Sequence, residues 1–171
     1  MSQRRPPIRL TVNAQLGRSF VSHLRSKLRA AHAMLKPALA ELSLGLVNDS
    51  AMSALHKRFM NLSGPTDVLT FPLEFDARRR VIAGEVVICV PEARRRAKEH
   101  DVAVRDELLL YALHGMLHLC GFDDRTARGY ARMHRTEDDI LTRLGIGAVF
   151  NPDRRRRPLR KPRKSTPPGD R

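Results

Sequence analysis

The sequence predicts an α+β fold, with one mixed β-sheet of about four strands packed with about five helices. Three observations predict it. Segments of helical period outnumber segments of strand period. The strands do not alternate regularly with the helices, as they would in a doubly wound α/β sheet. The 171 residues, 42% of them hydrophobic and none tryptophan, suffice for one core of ordinary size.

Residues 8–12 (IRLTV) alternate as a short strand, and residues 17–35 then place Phe20, Val21, Leu24, Leu28, Ala31 and Leu35 at helical spacing. Residues 42–47 read as a second strand. Asp49 or Ser50 can cap the helix that follows, which carries Met52, Leu55 and Phe59. After a turn at Gly64-Pro65 comes VLTFPLEF, which Pro72 demotes to an edge strand or a bulge. GEVVICV, residues 84–90, is β-branched and apolar, as a strand buried on both faces should be. Pro91 suits the first turn of a basic helix. The longest helical pattern runs over residues 104–120 and ends at Gly121; a last helix runs from about Thr126 to Leu144 and stops at Gly145.

The formal net charge is +14. Residues 150–171 hold nine Lys and Arg against Asp153 and Asp170, so half the excess lies in a proline-rich segment with almost nothing apolar. It reads as a disordered basic tail behind a folded domain of residues 1–149. Such a balance points to a polyanionic partner: RNA, DNA or an anionic membrane surface. No apolar run approaches the roughly 18 residues of a membrane span. The N-terminus lacks the apolar stretch of a signal peptide, so the expected location is cytoplasmic. Cys89 and Cys120 sit among apolar residues and read as reduced thiols.

The chemistry concentrates in HGMLHLCGFDD, residues 114–124. His114 and His118 lie four apart on the predicted central helix, so both imidazoles leave one face and can meet one Zn²⁺. Gly121 lets the chain turn sharply at the helix end and carry Asp124 back as a third ligand, with Asp123 the competing carboxylate. H-x-x-x-H-x-x-G-x-x-D is the skeleton of a metzincin zinc site, but Gly115 stands where a zincin has its general-base glutamate. A peptidase mechanism thereby loses its central residue. The two histidines could equally be core residues satisfied by carbonyls or by Asp123.

Three blocks in order extend the reading. HGMLHLCGFDD resembles the signature of the YbeY family, whose usual form is HGxLHLxGYDH. LHKRF at 55–59 followed by PTDVLTFP at 65–72 resembles that family's second block, and GEVVI at 84–88 resembles its GDI-type strand. The resemblance covers roughly residues 8–145. It implies a single-strand-specific, metal-dependent endoribonuclease acting in 16S rRNA 3′-end maturation and late-stage ribosome quality control. Its implied partners are single-stranded RNA, rRNA and the small ribosomal subunit. The family's three zinc-binding histidines carry over onto His114, His118 and position 124, and its motif arginine onto Arg58. Two departures stand out: Asp124 replaces a histidine and Glu85 an aspartate.

The resemblance thus implies one Zn²⁺, while the oxygen ligand Asp124 would let Mn²⁺ or Fe²⁺ compete. Arg58 is the candidate catalytic residue, since its planar fork matches phosphate oxygens. Thr66 and Asp67 are expected to hold a turn, and Glu85 and Asp123 are weak candidates for a base. The rival readings are an assembly factor with a structural metal and no catalysis, and a metal hydrolase acting on peptides or small molecules.

Overall fold

The computed structural model describes residues 7–148; the N-terminal hexapeptide and the basic segment 150–171 lie outside the described residues. The elements are β1 (Arg9–Ala14), α1 (Val21–Leu35, entered through a 3₁₀ turn at Arg18–Phe20), β2 (Glu41–Val47), α2 (Asp49–Met60), β3 (Val68–Phe75), β4 (Val81–Cys89), α3 (Val90–His100), α4 (Val104–Leu119) and α5 (Ala127–Arg143). The strands form one mixed sheet in the order β1-β2-β4-β3. β1, β2 and β4 are parallel, and β3 pairs antiparallel with β4 at the edge. The α+β class with four strands and five helices is therefore as expected.

Side-chain alternation sorts the sheet's two faces. Leu42, Leu44, Leu46, Val86 and Ile88 join the main core with Leu24 and Leu28 of α1 and Leu109, Leu113 and Met116 of α4. Val47, Val87, Cys89 and Leu69 turn to the opposite face, where Met52 of α2 covers them. β4 is thus buried on both faces. β3 is both an edge strand and bulged, its register slipping between Pro72 and Phe75. A strand without an N–H at Pro72 can occupy only such a position.

One cap differs from expectation. Asn48, not Asp49 or Ser50, caps α2: its Oδ1 accepts the Ala51 N–H at 2.8 Å, and its backbone is extended, as an N-cap requires. Asp49 is already helical. Its carboxylate instead takes Arg95 at 2.7 Å and the Cys89 thiol at 3.2 Å. Both cysteines are free. Burial lifts the Cys89 thiol to about 11 and the Cys120 thiol to about 12, so neither is a ready nucleophile. Among the described residues no helix is long and apolar enough to cross a membrane.

Candidate metal centre

α4 lies against the sheet at Gly115. A Cβ built there would stand 2.7 Å from Val86 Cγ1 and 2.9 Å from Thr70 Oγ1, so the residue between the two histidines is held at glycine by close packing. A glutamate has no room at this position, which accounts for the missing zincin base. At its C-terminus α4 closes with Gly121 in the left-handed region, φ 90°. The Gly121 N–H donates to His118 O and the Phe122 N–H to Leu117 O, both at 3.0 Å, which is the Schellman pattern. This turn carries residues 122–124 back over the helix end.

Hydrogen bonds fix both imidazoles. His114 Nδ1 lies 2.7 Å from Glu137 Oε1, and His118 Nδ1 lies 3.1 Å from the Phe122 carbonyl oxygen. Both partners only accept, so each Nδ1 carries the proton and each Nε2 faces the site. The two Nε2 atoms are 3.0 Å apart. Two lone pairs at that separation require a proton or a cation between them. Asp124 Oδ2 lies 3.8 Å from each. A point equidistant from the three atoms is about 2.1 Å from each, close to the ordinary length of Zn–N and Zn–O bonds. These three residues are the group among the described residues that could hold a metal ion.

Asp123, the competing carboxylate, points elsewhere. It accepts the Arg125 backbone N–H at 3.1 Å and pairs with the Arg125 guanidinium at 2.8 Å; that pairing pulls its carboxyl down to about 2. Asp67 holds its turn by accepting the Val68 N–H at 2.8 Å and the Thr66 hydroxyl at 3.1 Å. Glu85 faces Phe71 across the β3–β4 ladder. Arg58 is on the last turn of α2, its guanidinium 5.4 Å over the Phe59 ring, and is not among the residues lining the cleft at the triad.

Sequence reasoning missed Glu137 and His134. Glu137 is fully buried on α5 and bridges two imidazoles, taking His114 on one oxygen and His134 on the other at 2.5 Å. Burial alone would depress His114, but the hydrogen bond and charge of Glu137, with Asp124 and Asp67, outweigh it and hold its pKa above the usual histidine value. The buried Glu137 carboxylate needs a compensating positive charge, which either an imidazolium or a divalent cation supplies. A signal existed: Met133, His134, Glu137, Ile140 and Leu141 form one buried stripe of α5, and two polar residues on an apolar stripe ask for partners.

The triad opens into a cleft of about 1060 Å³, bounded by the consecutive β3 residues 68–72, by Tyr111 and Glu107 of α4, and by Tyr130 of α5. Burial, followed by the nearby Glu107 charge, pushes the Tyr111 phenol far up, so it remains a neutral hydrogen-bonding group.

A family model described as Endoribonuclease YbeY matches residues 9–145. The protein named Endoribonuclease YbeY from Moorella thermoacetica is 37% identical over 141 residues, covering 77% of this chain and 90% of the relative. The protein of the same name from Anaeromyxobacter sp. is 37% identical over 144 residues, covering 84% and 75%. The solution structure of TM1509 from Thermotoga maritima superposes with a TM-score of 0.56 at 25% identity, covering 81% of this chain and 91% of that one.

Proposed function

The chain belongs to the endoribonuclease YbeY family, and from that premise we propose that it is a metal-dependent, single-strand-specific endoribonuclease. Its substrate is ribosomal RNA on the small ribosomal subunit in the cytoplasm, and its work is 16S rRNA 3′-end maturation and late-stage quality control. One observation supports the metal dependence above others. Both Nε2 lone pairs converge at 3.0 Å beside a carboxylate, with both tautomers set by acceptor-only partners.

His114, His118 and Asp124 hold the ion, Zn²⁺ by donor set, with Mn²⁺ or Fe²⁺ admitted by the oxygen ligand. A bound ion would supply Lewis-acid chemistry here, polarising a phosphoryl oxygen or lowering the pKa of a water. Glu137 orients His114 through Nδ1, and the Phe122 carbonyl does the same for His118. Arg58 clamps the scissile phosphate with its two-pronged guanidinium. The placement of its guanidinium 5.4 Å over the ring of Phe59, which packs on the cleft residue Phe71, supports this role.

The test is metal analysis of the purified chain together with cleavage of single-stranded RNA with and without chelator. One bound equivalent and chelator-sensitive cleavage are expected. Bound metal and tight RNA binding without cleavage would select the second reading, an assembly factor with a structural metal, which the replacement of the third histidine by Asp124 favours.

A further inference from the structure

Among the described residues six large apolar or aromatic side chains are exposed: Phe59, Met60, Leu62, Leu73, Phe75 and Tyr130. Exposed apolar residues scattered singly need no explanation, but a run of them marks a binding surface. All but Leu62 lie in the cleft or on an element that walls it. Met60 and Tyr130 line the cleft of the metal triad. Phe59 packs at a tilt against Phe71, ring centroids 4.9 Å apart, and Phe71 also lines the cleft. Leu73 and Phe75 continue β3 beyond Pro72, the last β3 residue of the cleft wall. From Thr70, beside Gly115, to Phe75 the strand rises about 17 Å, room for a few nucleotides.

The surface ends in cations. In the β3–β4 turn the Asp76 carboxylate accepts the N–H groups of Arg78 and Arg80, each at 2.9 Å, and the Arg79 N–H donates to the Asp76 carbonyl at 2.8 Å. Arg79 sits at φ 58°, where glycine is favoured, so a cation is kept at the tip against backbone preference. Arg80 is paired with Asp76; Arg78 and Arg79 are exposed. Residues 58–62 and 73–80 together carry four arginines against Glu74 and Asp76. Half-exposed aromatic rings followed by arginines match unpaired bases and the phosphates that join them. A duplex keeps its bases stacked inside and cannot use the rings.

We propose that this surface is the track for the RNA strand flanking the scissile phosphate, with unpaired bases stacked on Phe59 and Phe75 and phosphates against Arg78 and Arg79. It rests on the endoribonuclease reading above and supplies that reading's preference for single strands.

The chain has no tryptophan, so Phe75→Trp and Phe59→Trp each install a single indole, excited selectively over the two tyrosines. Both sites are about half exposed, at 52%, and accommodate an indole. Each full-length variant is titrated, with chelator present to stop cleavage, with single-stranded oligoadenylate, with the oligoadenylate–oligouridylate duplex and with heparin. Binding of labelled strand is followed separately by anisotropy. The expected result is emission quenched by the single strand but not by duplex or heparin. Phe75→Ala should weaken single-strand binding about tenfold, while Phe75→Tyr, which keeps the ring, retains it. A silent indole while anisotropy reports bound strand overturns the track but leaves the nuclease reading standing; the surface would then suit a protein partner. Equal quenching by heparin also overturns it, reducing the surface to charge. Failure of every strand to bind, with metal-loaded protein as well as with chelated protein, overturns both readings.

Discussion

Replacing Gly115 by alanine adds one methyl group at the tightest contact between α4 and the sheet. The new Cβ would lie 2.7 and 2.8 Å from the two Val86 methyls and 2.9 Å from Thr70 Oγ1, about 1 Å inside van der Waals contact. Neither neighbour yields readily. Val86 is fully buried in the central strand β4, Thr70 pairs with it across the ladder, and both side chains are β-branched and stiff at χ1. α4 must therefore lift. Overpacking of this kind costs about 1–3 kcal/mol, while alanine's better helix propensity returns up to about 1 kcal/mol. The expected net loss is about 1–2 kcal/mol, a fall in Tm of roughly 3–8 °C for a domain of this size. His114 is the preceding residue and its ring is tied to Glu137, so the lift also displaces one ligand; a misplacement near 1 Å lowers cleavage by about 100-fold. Gly115→Glu should fold poorly and gain no peptidase activity. Denaturation midpoints, metal content and RNA cleavage on the same samples decide the matter. An alanine variant as stable as the parent, or more stable as helix propensity alone predicts, would refute the close packing and with it the explanation for the missing glutamate.

Metal analysis of three variants tests the third ligand: Asp124→Ala should lose the ion, Asp123→Ala keep it and Asp124→His restore it, and a full equivalent on Asp124→Ala would remove that residue from the site. Glu137→Gln preserves shape but not charge, so competition against a chromophoric chelator should show metal affinity lower by about 10–100-fold; unchanged affinity would deny Glu137 its orienting role. In chelated protein the raised pKa of His114 means that its protonation stabilises the fold in full below the ordinary value of 6.5, a contribution lost as pH rises through the raised value. Urea midpoints of chelated protein should therefore fall with rising pH across that window while those of metal-loaded protein hold, and parallel curves would contradict the pairing. Arg58→Lys should lower cleavage nearly as much as Arg58→Ala with little change in Tm, because lysine keeps the charge but not the fork; full activity in the lysine variant would end the clamp assignment.

The fold was legible where one period dominated. Leu42, Leu44 and Leu46 announce a strand, and Leu109, Leu113 and Met116 a helix, because each set buries one face. The α2 cap was misread by one residue because Asn48, Asp49 and Ser50 are all competent caps; the extended backbone that selects Asn48 is inherited from the end of β2. His114 and His118 were legible from local spacing, since the helix alone places them together. Glu137 was not, because its partner is 23 residues away and only the packing of α5 on α4 joins them. The partner of His118 was hidden for another reason: it is a backbone carbonyl, which any residue at 122 would supply.

The bulged edge of β3 also bears on how copies of this chain behave in concentrated solution. An open strand edge is a template on which another molecule's strand can add, and VLTFPLEF without its proline would be an apolar, nearly uncharged segment of the kind that seeds aggregates. Pro72 removes a donor from the middle of that edge, the register slips twice just beyond it, and Glu74 adds a charge that a stacked copy would have to place against itself. The irregularity that weakens β3 as a strand thus protects the molecule from self-association, at the same edge where the cleft must stay open.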